Sequence, residues 1–215
     1  MNIGLFGASG MIGQRITLEA LVRGHEVKSL AHHPDDGPIT HPRLTVEQVD
    51  IFDPGAILAA IADTDVVVNA TSGRKSLDTH AFYVDSTQAL IEAFGRAGEK
   101  RLIVVGGAGS LEVAPGHLLK DTPDFPAAAR PTADAQAETL VMYRASTIVW
   151  TFFCPSRMIQ PGRRTGKYRR GGDQLLTNDQ GESFISVEDY AFALLDEIEQ
   201  PQAIRKRFTA VSLEK

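Results

Sequence analysis

Near the start of the chain, Gly7-Ala8-Ser9-Gly10-Met11-Ile12-Gly13 places three glycines at the spacing G-x-x-G-x-x-G, where one hydrophobic periodicity gives way to another. The apolar run Asn2 to Phe6 is too short for a helix and stops at Gly7, whereas apolar residues recur with helical spacing at Ile12, Ile16, Ala20 and Leu21 between Met11 and Arg23. A strand, a tight turn and a helix are expected. Glycine at 7 permits the turn, glycine at 10 lets the backbone approach a phosphate, and glycine at 13 lets the helix pack close to the strand. The free N–H groups and dipole at the start of such a helix favour an anion. In its strand-helix-strand context the turn is read as a cradle for the pyrophosphate of a nicotinamide dinucleotide, contacted by Gly7, Ser9, Gly10, Met11, Ile12 and Gly13. A purely structural turn is the alternative.

The same alternation continues along the chain. Gly24 ends the first helix, and Glu26 to Leu30 has strand character. Leu44 to Val49 is expected as a strand, followed by a helix from Pro54 to Ala62 that Asp53 caps and Pro54 opens. The β-branched run Asp65 to Ala70 suits a strand buried on both faces, as does Arg101 to Val105 after a long helix between about Asp78 and Gly98. A helix from Pro131 to Ala145 feeds a strand from Thr147 to Phe153 that Pro155 stops. Ser186 precedes a last helix, Val187 to Glu199, with Asp189 placed as the acid of a capping box, and Phe208 to Val211 is expected at a sheet edge. The expectation is one α/β domain over residues 1–215, a doubly wound, mostly parallel sheet of the Rossmann type, with long functional loops near 106–130 and 155–186.

Composition excludes several classes. With 22 Lys+Arg against 27 Asp+Glu, the net charge is −5, and no concentrated basic footprint for a nucleic acid is expected. No apolar run approaches the roughly 20 residues that span a bilayer, and the N-terminus has no basic segment ahead of its apolar residues. The single cysteine, Cys154, has no disulfide partner in the chain. A cytoplasmic protein, a monomer or a homodimer, fits these features. The six histidines do not form a zinc spacing with Cys154, so no metal site is expected.

Open parallel sheets bind ligands beyond the carboxyl ends of their strands, so the strand ends are where specificity is written. After the second strand come Ala31, His32, His33 and Pro34, with no acid until Asp35. Nothing there repels a 2′-phosphate, and the two histidines can donate to it, which favours NADP (as NADPH) over NAD; solvated loop histidines are the alternative, since no arginine accompanies them. Asp50 and Ile51 are placed beside the adenine. Ala70, Thr71 and Gly106 follow the next strands and flank the dinucleotide, and Pro155 and Ser156 line its nicotinamide end. The run Arg163, Arg164, Lys167, Arg169 and Arg170 is either a solvated face or a flexible lid over a phosphate.

Five segments together resemble a known family: GASGMIG at 7–13, VVGGAGSL at 104–111, WTFFCPSRMIQPG at 150–162, RTGKYR at 164–169 and SFISVEDYA at 183–191. They are similar to the atypical short-chain dehydrogenases, within them the NADH-flavin reductase group related to NmrA-like and biliverdin-reductase-B-like proteins. The resemblance implies NAD(P)H binding and hydride transfer to a flavin or quinone. Ordinary short-chain dehydrogenases use Tyr-x-x-x-Lys as proton donor, whereas the fourth residues after Tyr83, Tyr143, Tyr168 and Tyr190 are Thr87, Thr147, Gly172 and Leu194. The expected acceptor is therefore a small molecule that stabilises its own charge, a flavin or a quinone-like ring, with Ser110 either the catalytic group that orients it or a turn hydroxyl that only satisfies a loop backbone group. Two alternatives stay open. One is a redox-sensing regulatory protein that holds the dinucleotide without turnover, and the other an epimerase or dehydratase. Cys154, at the end of an apolar strand, is expected to be a packing residue.

Overall fold

The computed structural model describes residues 1–33, 37–73 and 76–214. In chain order its elements are β1 (Asn2–Phe6), α1 (Met11–Val22), β2 (Glu26–Ala31), β3 (Leu44–Gln48), α2 (Pro54–Ala60), β4 (Val66–Asn69), α3 (Thr79–Arg96), β5 (Arg101–Val105), β6 (Glu112–Ala114), β7 (His117–Leu118), α4 (Arg130–Ala145), β8 (Val149–Cys154), β9 (Met158–Gln160), β10 (Tyr168–Gly171), β11 (Phe184–Ser186), α5 (Val187–Glu199) and β12 (Lys206–Ser212).

Eight strands form one sheet in the order β3-β2-β1-β4-β5-β8-β12-β10. All neighbours are parallel except β10, which runs antiparallel to β12. Successive strands progress in opposite directions from β1, so the order switches between β1 and β4, and a crevice opens beyond their carboxyl ends. A parallel pair, β9 with β11, and a small hairpin, β6 with β7, stand outside the main sheet.

Each central strand is apolar on both faces because helices cover both. In β5, Leu102 and Val104 pack with Leu90, Phe94, Leu140 and Trp150 beneath α3 and α4, while Ile103 packs with Phe153, Leu194 and Phe208 on the α1–α5 side. That is the period of two expected of a strand, with a full hydrophobic layer on either side. Each such side chain contributes on the order of 1.5–3 kcal/mol when fully buried.

Two sequence expectations are corrected. Residues 208–211 do not form an edge. Phe208, Ala210 and Val211 are buried inside β12, between β8 and β10, and Phe208 stacks on Phe153 with centroids 4.0 Å apart. The edge is β10, formed from part of the basic run, and its cations suit an exposed edge because they resist pairing with another sheet. Asp189 also does not close a capping box. Ser186 Oγ does cap α5, accepting from Asp189 N at 2.9 Å, but the Asp189 carboxylate turns to the segment before β10. Asp53 caps α2 as expected, accepting from Gly55 N and Ala56 N.

Candidate dinucleotide site

The glycine turn joins β1 to α1 at the switch point, and its three glycines do different work. Gly7 has φ +79°, and a Cβ on it would lie 2.6 Å from the backbone of Ala70 at the end of β4. The turn therefore touches β4 through bare backbone. A Cβ on Gly13 would strike the Gly7 carbonyl, lying 2.8 Å from its carbon, so this glycine seats α1 on the turn. A Cβ on Gly10 would meet only Gly7 O at 3.3 Å, and Gly10 is exposed together with Ser9 and Met11. Gly10 is also the N-cap of α1 and supplies no side-chain cap. The first N–H groups of α1, around Met11, Ile12 and Gly13, thus meet no capping side chain, and an anion there would complete the helix end.

The flanking strand ends converge on this turn. Ala70 N donates to Phe6 O at 2.9 Å, and Thr71 is fixed by Asn69, whose Oδ1 accepts from Thr71 N and Thr71 Oγ1. Asn69 was missed from sequence, although an Asn that closes a β-branched run is a signal for such an Asx turn. His32 and His33 stand exposed at the tip of β2 with ring centroids 4.5 Å apart. Pro34 and Asp35 lie outside the described residues. Asp50 is exposed, and its Oδ1 accepts from Phe52 N. Ile51 is buried, its side chain packed with Val49 and Ile57 in the core.

At the β5 end the glycines serve packing. A Cβ on Gly106 would come within 2.7 Å of the Phe152 ring, and one on Gly107 would strike the Gln136 side-chain amide. Of the two roles expected for Ser110, the structure shows the loop hydroxyl and not the orienting group. Ser110 is buried, its Oγ donates to Gly107 O at 3.1 Å and lies 3.4 Å from Cys154 Sγ, so the hydroxyl is spent on a loop carbonyl. Burial also pushes the Cys154 thiol up to about 11, which makes it an inert packing group as expected. Ser156 is likewise buried, with its Oγ donated to Ala210 O, a tie between the end of β8 and β12 and not a lining group, while Pro155 is buried beside it.

The basic segment is a strap, not a loose lid. Gly162 N donates to Glu188, and Arg163 O accepts from Ser186 Oγ. Thr165 N, Thr165 Oγ1 and Gly166 N all donate to the fully buried Asp189, which also accepts from Ser212 Oγ. Arg164 grips Glu19 of α1 with two bonds, Arg170 reaches Glu197, Lys167 reaches Glu214 and Arg169 reaches Asp179. Burial alone raises the Glu19 carboxyl, but hydrogen bonds from Arg164 and Arg23 outweigh it and hold Glu19 below the usual carboxylate range. At the opposite, amino end of the strands, Lys28 is paired to Asp63 and Glu47 on a polar surface with no such cradle.

A doubly wound sheet with an uncapped glycine turn at its switch point defines a dinucleotide-binding α/β domain. The chain belongs to the NAD(P)H-binding family, whose pattern matches residues 7–201. It is similar to a solved protein from Burkholderia pseudomallei provisionally called an exported protein, 43% identical with TM-score 0.89 and 98% of this chain and 99% of that one covered. It is similar also to one from Bacteroides thetaiotaomicron provisionally named an epimerase, 36% identical with TM-score 0.90, covering 100% and 98%. A third, from Streptococcus pneumoniae and provisionally named an NADH-flavin reductase, is 32% identical with TM-score 0.87, covering 99% of each chain. Among the described residues no helix is long and apolar enough to cross a membrane.

Proposed function

We propose that this protein is an NADPH-dependent cytoplasmic reductase, acting as a monomer or homodimer, that passes hydride to a flavin or quinone-like acceptor in the crevice at the β1–β4 switch point. The observation that carries the reading is the uncapped start of α1 beneath an open Gly10. The residues fit a dinucleotide: Gly7 brings bare backbone to the crevice floor, the N–H groups of Met11, Ile12 and Gly13 suit a pyrophosphate, and Ala70 and Thr71 stand beside it. Bound NADPH supplies the hydride, and the chain's part is to hold, orient and keep water from the reacting faces. The exposed His32 and His33 at the β2 tip support a 2′-phosphate, because they offer N–H donors and no carboxylate.

The name of the Streptococcus relative supports a flavin acceptor. The epimerase reading, drawn from the Bacteroides relative's name, has less support, because α4 carries no lysine and its one tyrosine, Tyr143, is sealed in the core. A binding protein without turnover is favoured by one observation, the commitment of the Ser110 hydroxyl to Gly107 O. The deciding experiment is anaerobic NADPH oxidation across FMN, menadione and a simple ketone, with NADPH and NADH affinities measured alongside. Turnover on FMN or menadione and not on the ketone, with NADPH bound about tenfold tighter, a difference of ~1.4 kcal/mol, is expected. Tight binding with no turnover on any acceptor replaces this reading with the regulatory one.

A further inference from the structure

The four tyrosine hydroxyls have different fates. Tyr190 Oη donates to Phe153 O at 2.7 Å and Tyr168 Oη to Asp196 at 2.8 Å, while Tyr143 is sealed with no exposed surface. Tyr83, early in α3, is buried but retains 9% exposure, more than the other buried tyrosines, Tyr143 and Tyr190. Its Oη accepts from Gln136 Nε2 of α4 at 3.5 Å, and among the described residues nothing accepts its own proton.

The pair stands at the carboxyl end of the sheet. The Gln136 amide lies over the end of β5, where a Cβ on Gly107 would strike Oε1 and come within 3.1 Å of Cδ. Phe82 meets the Tyr83 ring edge-on with centroids 5.8 Å apart, and Phe52 meets Phe82 edge-on at 5.5 Å. The phenol is therefore held by its ring edge and by its oxygen, and its O–H remains available to donate. Ser110 gives its hydroxyl to the loop and so does not supply this donor.

We infer that Tyr83 donates a hydrogen bond to the ring carbonyl of the flavin- or quinone-like acceptor, and that Gln136 positions it by donating to its oxygen. The inference rests on the hydride-transfer reading of the crevice. In the reaction, hydride leaves the dihydronicotinamide with both electrons, oxidising it to the cationic nicotinamide. The acceptor ring gains the hydride and is reduced, its carbonyl oxygen gathers negative charge, and a solvent proton neutralises that oxygen. Tyr83 keeps its own proton throughout, and its hydrogen bond strengthens as charge builds on the carbonyl. Tyr83 is the residue that touches the acceptor, and Gln136 acts through it.

Two substitutions separate this role from a structural one. Tyr83→Phe removes the donor and keeps the ring. Gln136→Glu keeps both side chains but presents a carboxylate that captures the Tyr83 proton, turning the donor away from the acceptor. With FMN and menadione as acceptors, each variant is expected to lose 10- to 30-fold in kcat with KM changed less than threefold. FMN affinity of the NADP-loaded protein, read by flavin fluorescence, is expected to change less than threefold, with NADPH affinity and melting temperature kept. A Tyr83→Phe protein that retains its rate within twofold while the parent reduces either acceptor overturns the role of the pair and leaves the reductase reading standing. A parent that binds NADPH but neither binds nor reduces FMN or menadione overturns both.

Discussion

At the residue scale, the three glycines of one motif are not equivalent, and their clearances say how each will respond to a methyl group. On Gly13 a Cβ collides with the backbone of Gly7, which has no side-chain freedom with which to yield. Gly13→Ala is expected to cost about 2–4 kcal/mol, at or above the usual range for overpacking, read as a lower urea midpoint at unchanged slope. On Gly10 the same methyl meets one atom at 3.3 Å, so Gly10→Ala is expected to keep its melting temperature within a few degrees and to lose NADPH affinity instead. The motif was legible in the sequence because all its contacts are local to seven residues and the adjoining strand. Tyr83 and Gln136 were not, because they lie 53 positions apart and meet only once α3 and α4 are packed together. Ser110 stayed ambiguous for a related reason: a serine after a strand marks a turn, but whether its hydroxyl serves the loop or a ligand depends on Gly107 and Cys154, which no local pattern discloses.

At the scale of elements, helix caps were readable and the strap was not. Asp53 and Ser186 cap as their positions suggest, since a cap needs only the next three residues. The buried Asp189 instead gathers Thr165, Gly166 and Ser212 from two distant segments. Asp189→Ala strips four donors of their acceptor at once and is expected to cost about 3–5 kcal/mol, with Asp189→Asn in between, both measured by denaturant unfolding. The grip of Arg164 on Glu19 predicts an acid limb as well. A carboxyl held below its unfolded value, about 4.3 for glutamate, contributes stability that is full above that pH and is lost as pH falls through the lowered folded value. Stability profiles of the parent and Glu19→Gln are expected to differ fully above about pH 4.3, to draw together as pH falls below it, and to meet only below the lowered folded value. Parallel profiles over the whole range would show that the pair contributes nothing.

For the whole molecule, alternating strands and helices were enough to recognise a doubly wound sheet, because burial on both faces leaves a β-branched run that periodicity detects. The order of the last strands was not legible. β10 is short, cationic and partly exposed, and β12 is placed by Phe208 stacking on Phe153, a long-range contact. Ligand binding at the switch point is coupled to the stability of the entire sheet. NADPH at about 100 times its dissociation constant is expected to add ~2.7 kcal/mol, a rise of about 5–10 °C in melting temperature for a domain of this size. Gly10→Asp, whose carboxylate would occupy the place of the pyrophosphate, is expected to abolish that rise while leaving the unliganded melting temperature nearly unchanged.

The place of β12 between β8 and β10 also sets a timetable for synthesis. The ribosome delivers β8 and then β10 well before residues 206–212, yet β10 has no partner in the sheet except β12. The six strands from β3 to β8 can assemble as they emerge, whereas β8 must wait with one edge bare and the strap undocked on that side. A nascent chain stalled before residue 206 would thus expose an apolar strand edge to whatever chaperone stands at the tunnel exit, and release of seven further residues would withdraw it.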